Sequence, residues 1–399
     1  MKKKILQINI VCGVGSTGRI VLDIGKTIEK ENMESYIAYG YGKADLSNTI
    51  KIGTTIEYYI HNLLSRIFGM QGRFSYFATK RFLKKVDKIS PDIIHLHNIH
   101  GNYINYKLLF KYIKEKQIPV VWTMHDCWPF TGKCTYFDYV KCDKWQKCCY
   151  NCNNLKEYPE NYIDTSRKEY KSKKKAFTNL KDMTIITPSQ WLSENVKKSF
   201  LGQYQIKVIN NGIDLEKFYH MENDYKEKMN IQEKIVLLGV ASDWDERKGL
   251  NTFIQLSELL DKKYQIILVG ISEEQKINIP EKIITIKKTN SIEELAKIYS
   301  MADIFINPTL QDNFPTTNLE ALACGTPVIT YKTGGSPEAI DSNCGAVVEQ
   351  NNIIELIKTI EKVEKQKIKK EICIDQSKRF NKDEKFLEYI EIYREIVGE

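Results

Sequence analysis

Two carboxylates, Asp312 and Glu320, stand eight positions apart in a stretch whose chemistry suits a ligand rich in hydroxyl groups. The run 302–308 before them, ADIFINP, is short and apolar and predicts a buried parallel strand. The run after Pro315, NLEALA, predicts a helix stopped by a following glycine and proline. Asp312 is therefore expected on a strand-to-helix loop, and Glu320 inside the helix that follows.

The position of these acids in the predicted sheet indicates a binding site. In open α/β sheets, ligands bind outside the carboxyl ends of the strands. The backbone N–H groups of Asn313 and Phe314, at the helix start, would point into the same crevice. The two acids and these amides suit a sugar and a ribose. The alternative is an ordinary loop with a solvated Asp312 and a surface Glu320.

The wider stretch 308–328, PTLQDNFPTTNLEALACGTPV, resembles the E-x7-E motif of family-4 retaining glycosyltransferases. The resemblance implies the GT-B fold: α/β, with two Rossmann-like, doubly wound parallel-sheet domains that face a cleft. Asp312 departs from the family pattern, which more often has Glu there. By resemblance, Asp312 and the amides after it hold the donor sugar and Glu320 holds the ribose, and both acids count as catalytic. The donor-binding residues implied in this stretch are Asp312, Asn313, Phe314, Pro315 and Glu320.

A second donor-binding loop is predicted at DWDERKGL, residues 243–250. Lys248, with the glycine after it, resembles the family's lysine–glycine pair, whose lysine neutralises donor phosphate. The glycine–arginine pair that usually precedes it is absent, so Arg247 is the candidate for the second positive charge. Positive charge is what a departing nucleoside diphosphate needs. Taken alone, the pair could equally be a solvated basic pair before a helix. Asp243 and Asp245 form a D-x-D pattern, but a three-residue pattern is poor evidence for a site, and we assign no catalytic metal to it.

The first strand, 5–11, leads into a loop with Gly13, Gly15 and a third glycine, followed by a helical pattern over 19–30. Glycines between a strand and a helix let backbone amides approach a phosphate or sugar. The spacing matches the dinucleotide fingerprint, but no acid ends the next strand. The resemblance implies that this loop faces the cleft, with Gly15 on the donor side and Gly13 and Ser16 on the acceptor side.

Two further strands are predicted in 92–101 and 120–126, and they carry four of the six histidines. For any one of them, a hydrogen-bonded core histidine is the simpler interpretation. The resemblance implies that His125 reaches the donor sugar and acts in catalysis. It places His97 and Asn98 on the acceptor side.

The insert 127–155 contains six of the ten cysteines. The pair Cys149-x-x-Cys152 has the spacing of a zinc knuckle, which Cys134 and Cys142 could complete, and Cys148 or Cys127 could replace one of these four. Structural zinc is the favoured interpretation, and reduced thiols that pack an irregular loop are the alternative. The insert resembles that of colanic-acid and exopolysaccharide-type glycosyltransferases, and we expect it to shape the acceptor site.

The length of 399 residues predicts two domains. We expect an acceptor-side domain over 1–205, a nucleotide-sugar-binding domain over 206–378, and a helix over 379–399 that packs back on the first. The start of the chain favours a first strand over a signal peptide, and no run is long and apolar enough to span a membrane. A cytoplasmic location is expected, with any membrane contact peripheral and at the inner face. Three basic runs, Lys2–Lys4, 167–175 and 365–370, would then be available to contact the anionic membrane surface.

These observations predict a retaining glycosyltransferase that moves a sugar from a nucleotide-sugar donor to a saccharide or lipid-linked saccharide acceptor, in surface polysaccharide biosynthesis. No catalytic cofactor is expected. The alternatives are a nucleotide-sugar epimerase or a phosphorylase of the same fold, and a zinc-containing nucleic-acid-binding protein, suggested by the net charge of +8. No nucleic acid is expected as a partner, because the sequence has none of the usual recognition patterns.

Overall fold

A computed structural model describes residues 2–42 and 48–399 of the chain. The chain divides into two compact units, Met1–Asn210 together with Lys385–Glu399, and Asn211–Glu384. The sequence-based boundaries stand at 205/206 and 378/379. Among the described residues, no helix is both long enough and apolar enough to cross a membrane. The cytoplasmic location stays a prediction.

The first unit is built on a parallel sheet of seven strands, in the order β3-β2-β1-β4-β5-β6-β7. Its central strands are buried along most of their length, which explains why they read as short apolar runs in the sequence. The strands are β1 (Lys4–Val11), β2 (Glu34–Tyr41), β3 (Thr49–Lys51), β4 (Ile93–Leu96), β5 (Val120–Thr123), β6 (Met183–Thr187) and β7 (Gln205–Val208).

Helices connect these strands, and the last helix of the chain packs against the same sheet. Its buried residues include Phe386, Ile390 and Tyr393, which share a core with Ile5 of β1 and with Ile24. The helices of this unit are α1 (Gly15–Lys30), α2 (Thr55–Phe68), α3 (Tyr76–Ile89), α4 (Tyr106–Lys116), α5 (Ser166–Phe177) and α6 (Gln190–Lys198), and the C-terminal helix spans Lys382–Val397.

The second unit contains a parallel sheet of six strands, in the order β10-β9-β8-β11-β12-β13. Its strands are β8 (Ile235–Val240), β9 (Tyr264–Val269), β10 (Ile284–Ile286), β11 (Ile304–Asn307), β12 (Val328–Tyr331) and β13 (Gly345–Val348). Its helices are α7 (Tyr225–Lys228), α8 (Leu250–Leu259), α9 (Glu273–Lys276), α10 (Ile292–Met301), α11 (Thr316–Ala323), α12 (Ile353–Gln366) and α13 (Lys370–Lys378), so the C-terminal helix is α14. Both units are doubly wound Rossmann-like domains, as the sequence predicts.

Two local predictions are wrong. The run VINNGID, residues 208–214, predicts a strand from the sequence, but none forms there: β7 ends at Val208, and Ile213 makes only an isolated parallel bridge to Asn381. The helix expected from Arg19 begins at Gly15, so two glycines of the predicted loop lie inside α1. Gly15 begins this helix with φ +65°, a left-handed backbone conformation that glycine adopts without strain, and the closed turn between Gly13 N and the carbonyl of Gly18, 2.9 Å apart, fixes the start.

Candidate active site

Each sheet has one point where the strand order reverses, and the candidate residues cluster there. In the second unit this point lies between β8 and β11, which pair in parallel. The loops that follow these two strands carry Lys248 and Asp312. In the first unit it lies between β1 and β4, which precede the glycine loop and His97. Such switch points are where open α/β sheets bind ligands.

In the second unit, the two predicted donor loops meet through an ion pair. The Nζ of Lys248 lies 2.7 Å from Oδ2 of Asp312, and the two side chains are 26% and 15% exposed. The amide of Leu310 also donates to the carbonyl of Arg247 at 2.8 Å. Gly249 has φ +79°, and a Cβ there would lie 2.3 Å from the carbonyl oxygen of Pro308. Only glycine therefore allows the loops to approach this closely.

Residues of the D-x-D pattern hold this loop in its conformation. Trp244 is buried, and its Nε1 donates to the carbonyl of Val269 at 2.8 Å. Asp245 caps the short 3-10 helix that holds Lys248, because its Oδ1 accepts from the amide of Lys248 at 2.9 Å. Its Oδ2 lies 3.4 Å from Nε of Arg247. The carboxylate of Asp245 thus positions the two basic residues of the loop.

Glu320 lies on α11, as predicted, and is buried with only 9% of its surface exposed. Its Oε2 accepts from the hydroxyl of Tyr299 at 2.9 Å. Burial, with the charge of Glu320 added, raises the pKa of Tyr299 well above its ordinary value, so this hydroxyl remains a donor. Tyr299 therefore holds the Glu320 carboxylate in one orientation. The sequence did not single out Tyr299, because it lies on α10, 21 positions away.

The helix start after Asp312 is held by its apolar side chains. Phe314 is 3% exposed, its ring centroid lies 5.6 Å from that of Phe380, and its carbonyl accepts from Nδ2 of Asn211 at 3.0 Å. Asn313 is also buried, and Pro315 occupies the N-cap of α11 with φ −69°. Because the ring of Phe314 belongs to the core, any role it has in binding falls to its backbone.

A network of polar side chains lies behind α11, and the sequence analysis does not predict it. Asn318 accepts from Nδ2 of Asn307 at 2.7 Å and donates to both the carbonyl and the hydroxyl of Ser336 at 3.1 Å. The hydroxyls of Thr330 and Ser336 lie 2.6 Å apart. This network ties the ends of β11 and β12 to the helix that carries Glu320. A signal was present, since Asn318 is fully buried yet polar in an apolar helical run.

In the first unit, the glycine loop exposes backbone at the start of α1. Gly13 and Gly15 have φ of +70° and +65°, and both are exposed, as is Ser16 in the first turn. In the loop after the neighbouring strand β4, the amide of Asn98 donates to Oδ1 of Asn9 at 3.2 Å. The predicted acceptor-side residues thus line one switch point, where the α1 amides are available to a ligand.

His97 and His125 form a chain of neutral imidazoles. Nε2 of Gln7 donates to the carbonyl of Val21 at 3.0 Å, so its Oε1 accepts from Nε2 of His97 at 3.2 Å. Nδ1 of His97 then accepts from Nε2 of His125 at 3.0 Å. Burial lowers the pKa of His97 well below its ordinary value and that of His125 to about 4. In this tautomer Nδ1 of His125 carries the lone pair, which suits a hydroxyl donor.

The remaining strand-end histidines have structural partners. Nε2 of His95 lies 2.8 Å from the hydroxyl of Thr123, and its Nδ1 lies 2.6 Å from that of Tyr393 on α14. His100 pairs with Asp126 at 2.6 Å. For these two histidines the core interpretation holds. They join neighbouring loops and fasten the C-terminal helix to the sheet.

The four predicted zinc ligands lie in one segment, but in separate contacts. Cys134 and Cys152 are hydrogen-bonded to each other, and this bond lowers the pKa of the Cys152 thiol and raises that of Cys134. Cys149 accepts from the amide of Gly132 at 3.1 Å and feels the charges of Cys142 and Cys152. Across residues 2–42 and 48–399, no group of three or more His, Cys, Asp or Glu side chains is arranged to hold a metal. Structural zinc stays a prediction.

Two buried lysines hold this insert instead of facing solvent. Lys173 lies in the basic run 167–175 yet is 1% exposed, and its Nζ donates to the carbonyls of Trp128 at 2.7 Å and Thr131 at 3.2 Å. Lys133 donates to the carbonyl of Asn154 at 2.8 Å and, just after the insert, to that of Glu157 at 2.7 Å. The expectation that the run 167–175 is available to a membrane is wrong for Lys173.

Comparison with known families decides the class of the protein. A family described as "Glycosyl transferases group 1" matches residues 221–380, and one described as "Glycosyltransferase Family 4" matches residues 17–217, just over half of the chain. The chain belongs to glycosyltransferase family 4. It is therefore a glycosyltransferase, and the epimerase and phosphorylase alternatives are set aside. The absence of nucleic acid as a partner stays a prediction.

Relatives of this family-4 enzyme include WcaC of Escherichia coli strain K12, named for glycosyl transfer in colanic acid biosynthesis. The alignment is 24% identical over 370 positions and covers 88% of this chain and 89% of the relative. An N,N'-diacetylbacillosaminyl-diphospho-undecaprenol alpha-1,3-N-acetylgalactosaminyltransferase of Campylobacter jejuni is 27% identical over 161 residues, covering 38% of this chain and 42% of the relative.

Solved structures show the GT-B fold over the whole chain. A sucrose-phosphate synthase from Thermosynechococcus elongatus has a TM-score of 0.73 at 17% identity and covers 100% of both chains. Anabaena Alr3699/HepE in complex with UDP-glucose has a TM-score of 0.67 at 13% identity, covering 98% of this chain and 99% of the other. The fold class predicted from the sequence is confirmed.

Proposed function

We propose that this family-4 glycosyltransferase moves a sugar from a nucleotide-sugar donor to a saccharide or lipid-linked saccharide, with retention of configuration, in the assembly of a surface polysaccharide. The observation that carries the proposal is the pairing of Lys248 with Asp312 at the switch point of the second unit. A cation and a carboxylate held on two loops offer one group for phosphate and another for sugar hydroxyls.

The donor would exchange this ion pair for its own contacts. A diphosphate draws the ammonium of Lys248 toward its oxygens, aided by Arg247, and frees the carboxylate of Asp312 to accept from sugar hydroxyls. Glu320, oriented by Tyr299, accepts from the ribose hydroxyls. The backbone at Asn313 to Pro315 completes the sugar contacts.

Retention needs no side-chain nucleophile under this proposal. The bond between the anomeric carbon and the donor phosphate breaks, and the phosphate keeps the electron pair while Lys248 and Arg247 neutralise the growing charge. The acceptor hydroxyl attacks from the same face and passes its proton to a phosphate oxygen. The products are the new glycoside and the nucleoside diphosphate. His125 accepts a hydrogen bond from a sugar hydroxyl through its Nδ1 lone pair, and Gly13, Ser16, His97 and Asn98 belong to the acceptor side.

The relatives support the donor and acceptor classes. A name that refers to colanic acid and another that refers to a diphospho-undecaprenol saccharide indicate polysaccharide and lipid-linked acceptors for those proteins. The solved relative with UDP-glucose makes UDP-sugars the first donors to test here.

Calorimetric titration with UDP-, GDP-, ADP- and TDP-sugars, without added divalent metal, tests the proposal. Selective binding of one donor, weakened in Lys248→Ala, is the expected result. Product anomeric configuration read by NMR then tests retention. No binding of any donor, also with magnesium or manganese present, would overturn the assignment of the site.

A further inference from the structure

Helix α2 has its apolar face on the outside. Its two buried residues, His61 and Ser65, are polar. The opposite face repeats apolar residues at the three- and four-residue spacing of one helical stripe. Every residue of this stripe is between 40% and 71% exposed: Ile56, Tyr59, Ile60, Leu63 and Ile67. A contiguous apolar stripe on a surface helix indicates an interaction site, since scattered exposed residues would not align this way.

Specific hydrogen bonds fix this orientation of α2. Nδ1 of His61 lies 2.6 Å from the hydroxyl of Ser75, and Oδ1 of Asn62 accepts from Nδ2 of Asn102 at 3.1 Å. Burial lowers the pKa of His61 to about 3, so the inward face is polar but uncharged at neutral pH. Rotating the helix to bury its apolar stripe would break these hydrogen bonds and leave buried polar groups without partners, which costs free energy.

The neighbouring helix α3 adds basic charge beside the stripe. Arg81 on α3 is joined to Glu57 on α2 at 2.6 Å, so the two helices lie side by side. Phe77, one turn before Arg81, is 71% exposed. From 55 to 89 the sequence has seven lysines and arginines and two acidic residues. We call the following set the α2–α3 surface: the stripe, Phe77 and the exposed lysines Lys80, Lys84, Lys85 and Lys88.

We propose that the α2–α3 surface docks the enzyme on an anionic lipid bilayer. Helices that lie in a membrane interface combine an apolar face with lysines and arginines beside it, and each basic residue near an anionic leaflet strengthens binding. A second copy of the chain is the competing occupant. A dimer through this surface would place two lysine-rich surfaces in contact, and their positive charges would repel each other. An anionic bilayer would instead attract the same lysines.

This inference is independent of the donor site, because all its residues lie in the first unit and outside the candidate active site. Vesicle sedimentation of the full chain tests it, with phosphatidylcholine alone and with an equimolar mixture of phosphatidylcholine and phosphatidylglycerol. Each lysine is expected to contribute about a fivefold gain in affinity for the anionic vesicles, so the difference should exceed tenfold and shrink in high salt.

Two variants separate the apolar and the basic parts. Ile60→Glu with Leu63→Glu should abolish binding, and Lys84→Glu with Lys85→Glu should weaken it at least tenfold. The matched controls lie in the second unit: Ile277→Glu with Ile354→Glu, at sites 84% and 65% exposed, and Lys362→Glu with Lys365→Glu. All substituted side chains are exposed, and thermal unfolding of each full-length variant, followed by circular dichroism, reports on the folding of both units.

Three outcomes would overturn the proposal. The first is equal binding to neutral and anionic vesicles, or none to either. The second is loss of binding in the second-unit controls but not in Ile60→Glu with Leu63→Glu. The third is a dimer in solution that this variant dissociates, which would assign the surface to a second copy of the chain.

Discussion

The two units present opposite chemistry at the same place in the same architecture. At the switch point of the second unit, the side chains are charged and partly exposed, as in the pair of Lys248 and Asp312. At that of the first, His97 and His125 are imidazoles that burial keeps neutral. A parallel sheet supplies the position of a site, and the loop residues supply its chemistry. The charged site suits a diphosphate, and the neutral one suits hydroxyl groups.

Lys248→Ala should have the largest effect on kcat, and it tests whether the charged site of the second unit acts on the donor phosphate. Loss of one group that stabilises developing charge typically lowers kcat by about 100- to 1,000-fold. Steady-state kinetics with the donor identified by calorimetry would measure it. Lys226→Ala is the matched control, because Lys226 pairs with Asp303 at the same distance, 2.7 Å, in the same unit. Equal losses in both variants would contradict a specific role for Lys248.

Glu320→Gln should weaken donor binding by about ten- to a hundredfold, because a neutral amide accepts weaker hydrogen bonds from ribose than a carboxylate does. Calorimetry gives the dissociation constant. Glu364→Gln serves as the control, since Glu364 also accepts from a tyrosine hydroxyl, that of Tyr264. Unchanged affinity in Glu320→Gln would remove the ribose assignment while leaving that of Lys248 intact.

Acid should destabilise the neutral imidazole cluster in the first unit. The pKa of His125 is about 4 when folded and about 6.5 when unfolded, so between these values the unfolded chain binds the extra proton. Stability therefore falls as the pH drops, by about 2 kcal/mol per such histidine between about pH 7 and pH 5. Urea unfolding at the two pH values measures this loss. We expect His125→Gln to lose less than the unsubstituted protein, and identical losses would contradict a buried neutral His125.

Zinc binding should affect the first unit and have the smallest effect on donor binding. Elemental analysis is expected to find about one zinc per chain, because four thiolates complete a structural zinc site. Cys149→Ser with Cys152→Ser should release it while the donor dissociation constant stays the same. A metal-free unsubstituted protein would leave reduced thiols as the role of these cysteines.

Residue patterns that act over short distances were readable in the sequence. Buried parallel strands appear as apolar runs, so the strands around 302–308 and 120–126 were found, and the C-terminal helix predicted over 379–399 forms over Lys382–Val397. The strand over 208–214 was misplaced, because an apolar run does not say which of its residues find a partner strand. Ser291 and Glu294 have the sequence spacing of a capping box at the start of α10, but only half of it forms: Ser291 Oγ accepts from the amide of Glu294 at 3.0 Å, whereas the Glu294 carboxylate accepts from the amide of Asn290.

The sequence alone determined the fold class and named the loops of the candidate site, because strand–loop–helix order and residue type are local properties. Only the tertiary structure decided which side chains meet. It paired Lys248 with Asp312 across 64 positions and gave Glu320 its partner Tyr299. It also buried Lys173 in a run that reads as solvated, and turned the apolar face of α2 outward. Such contacts join residues distant in the chain, and their energies depend on burial that no local pattern records.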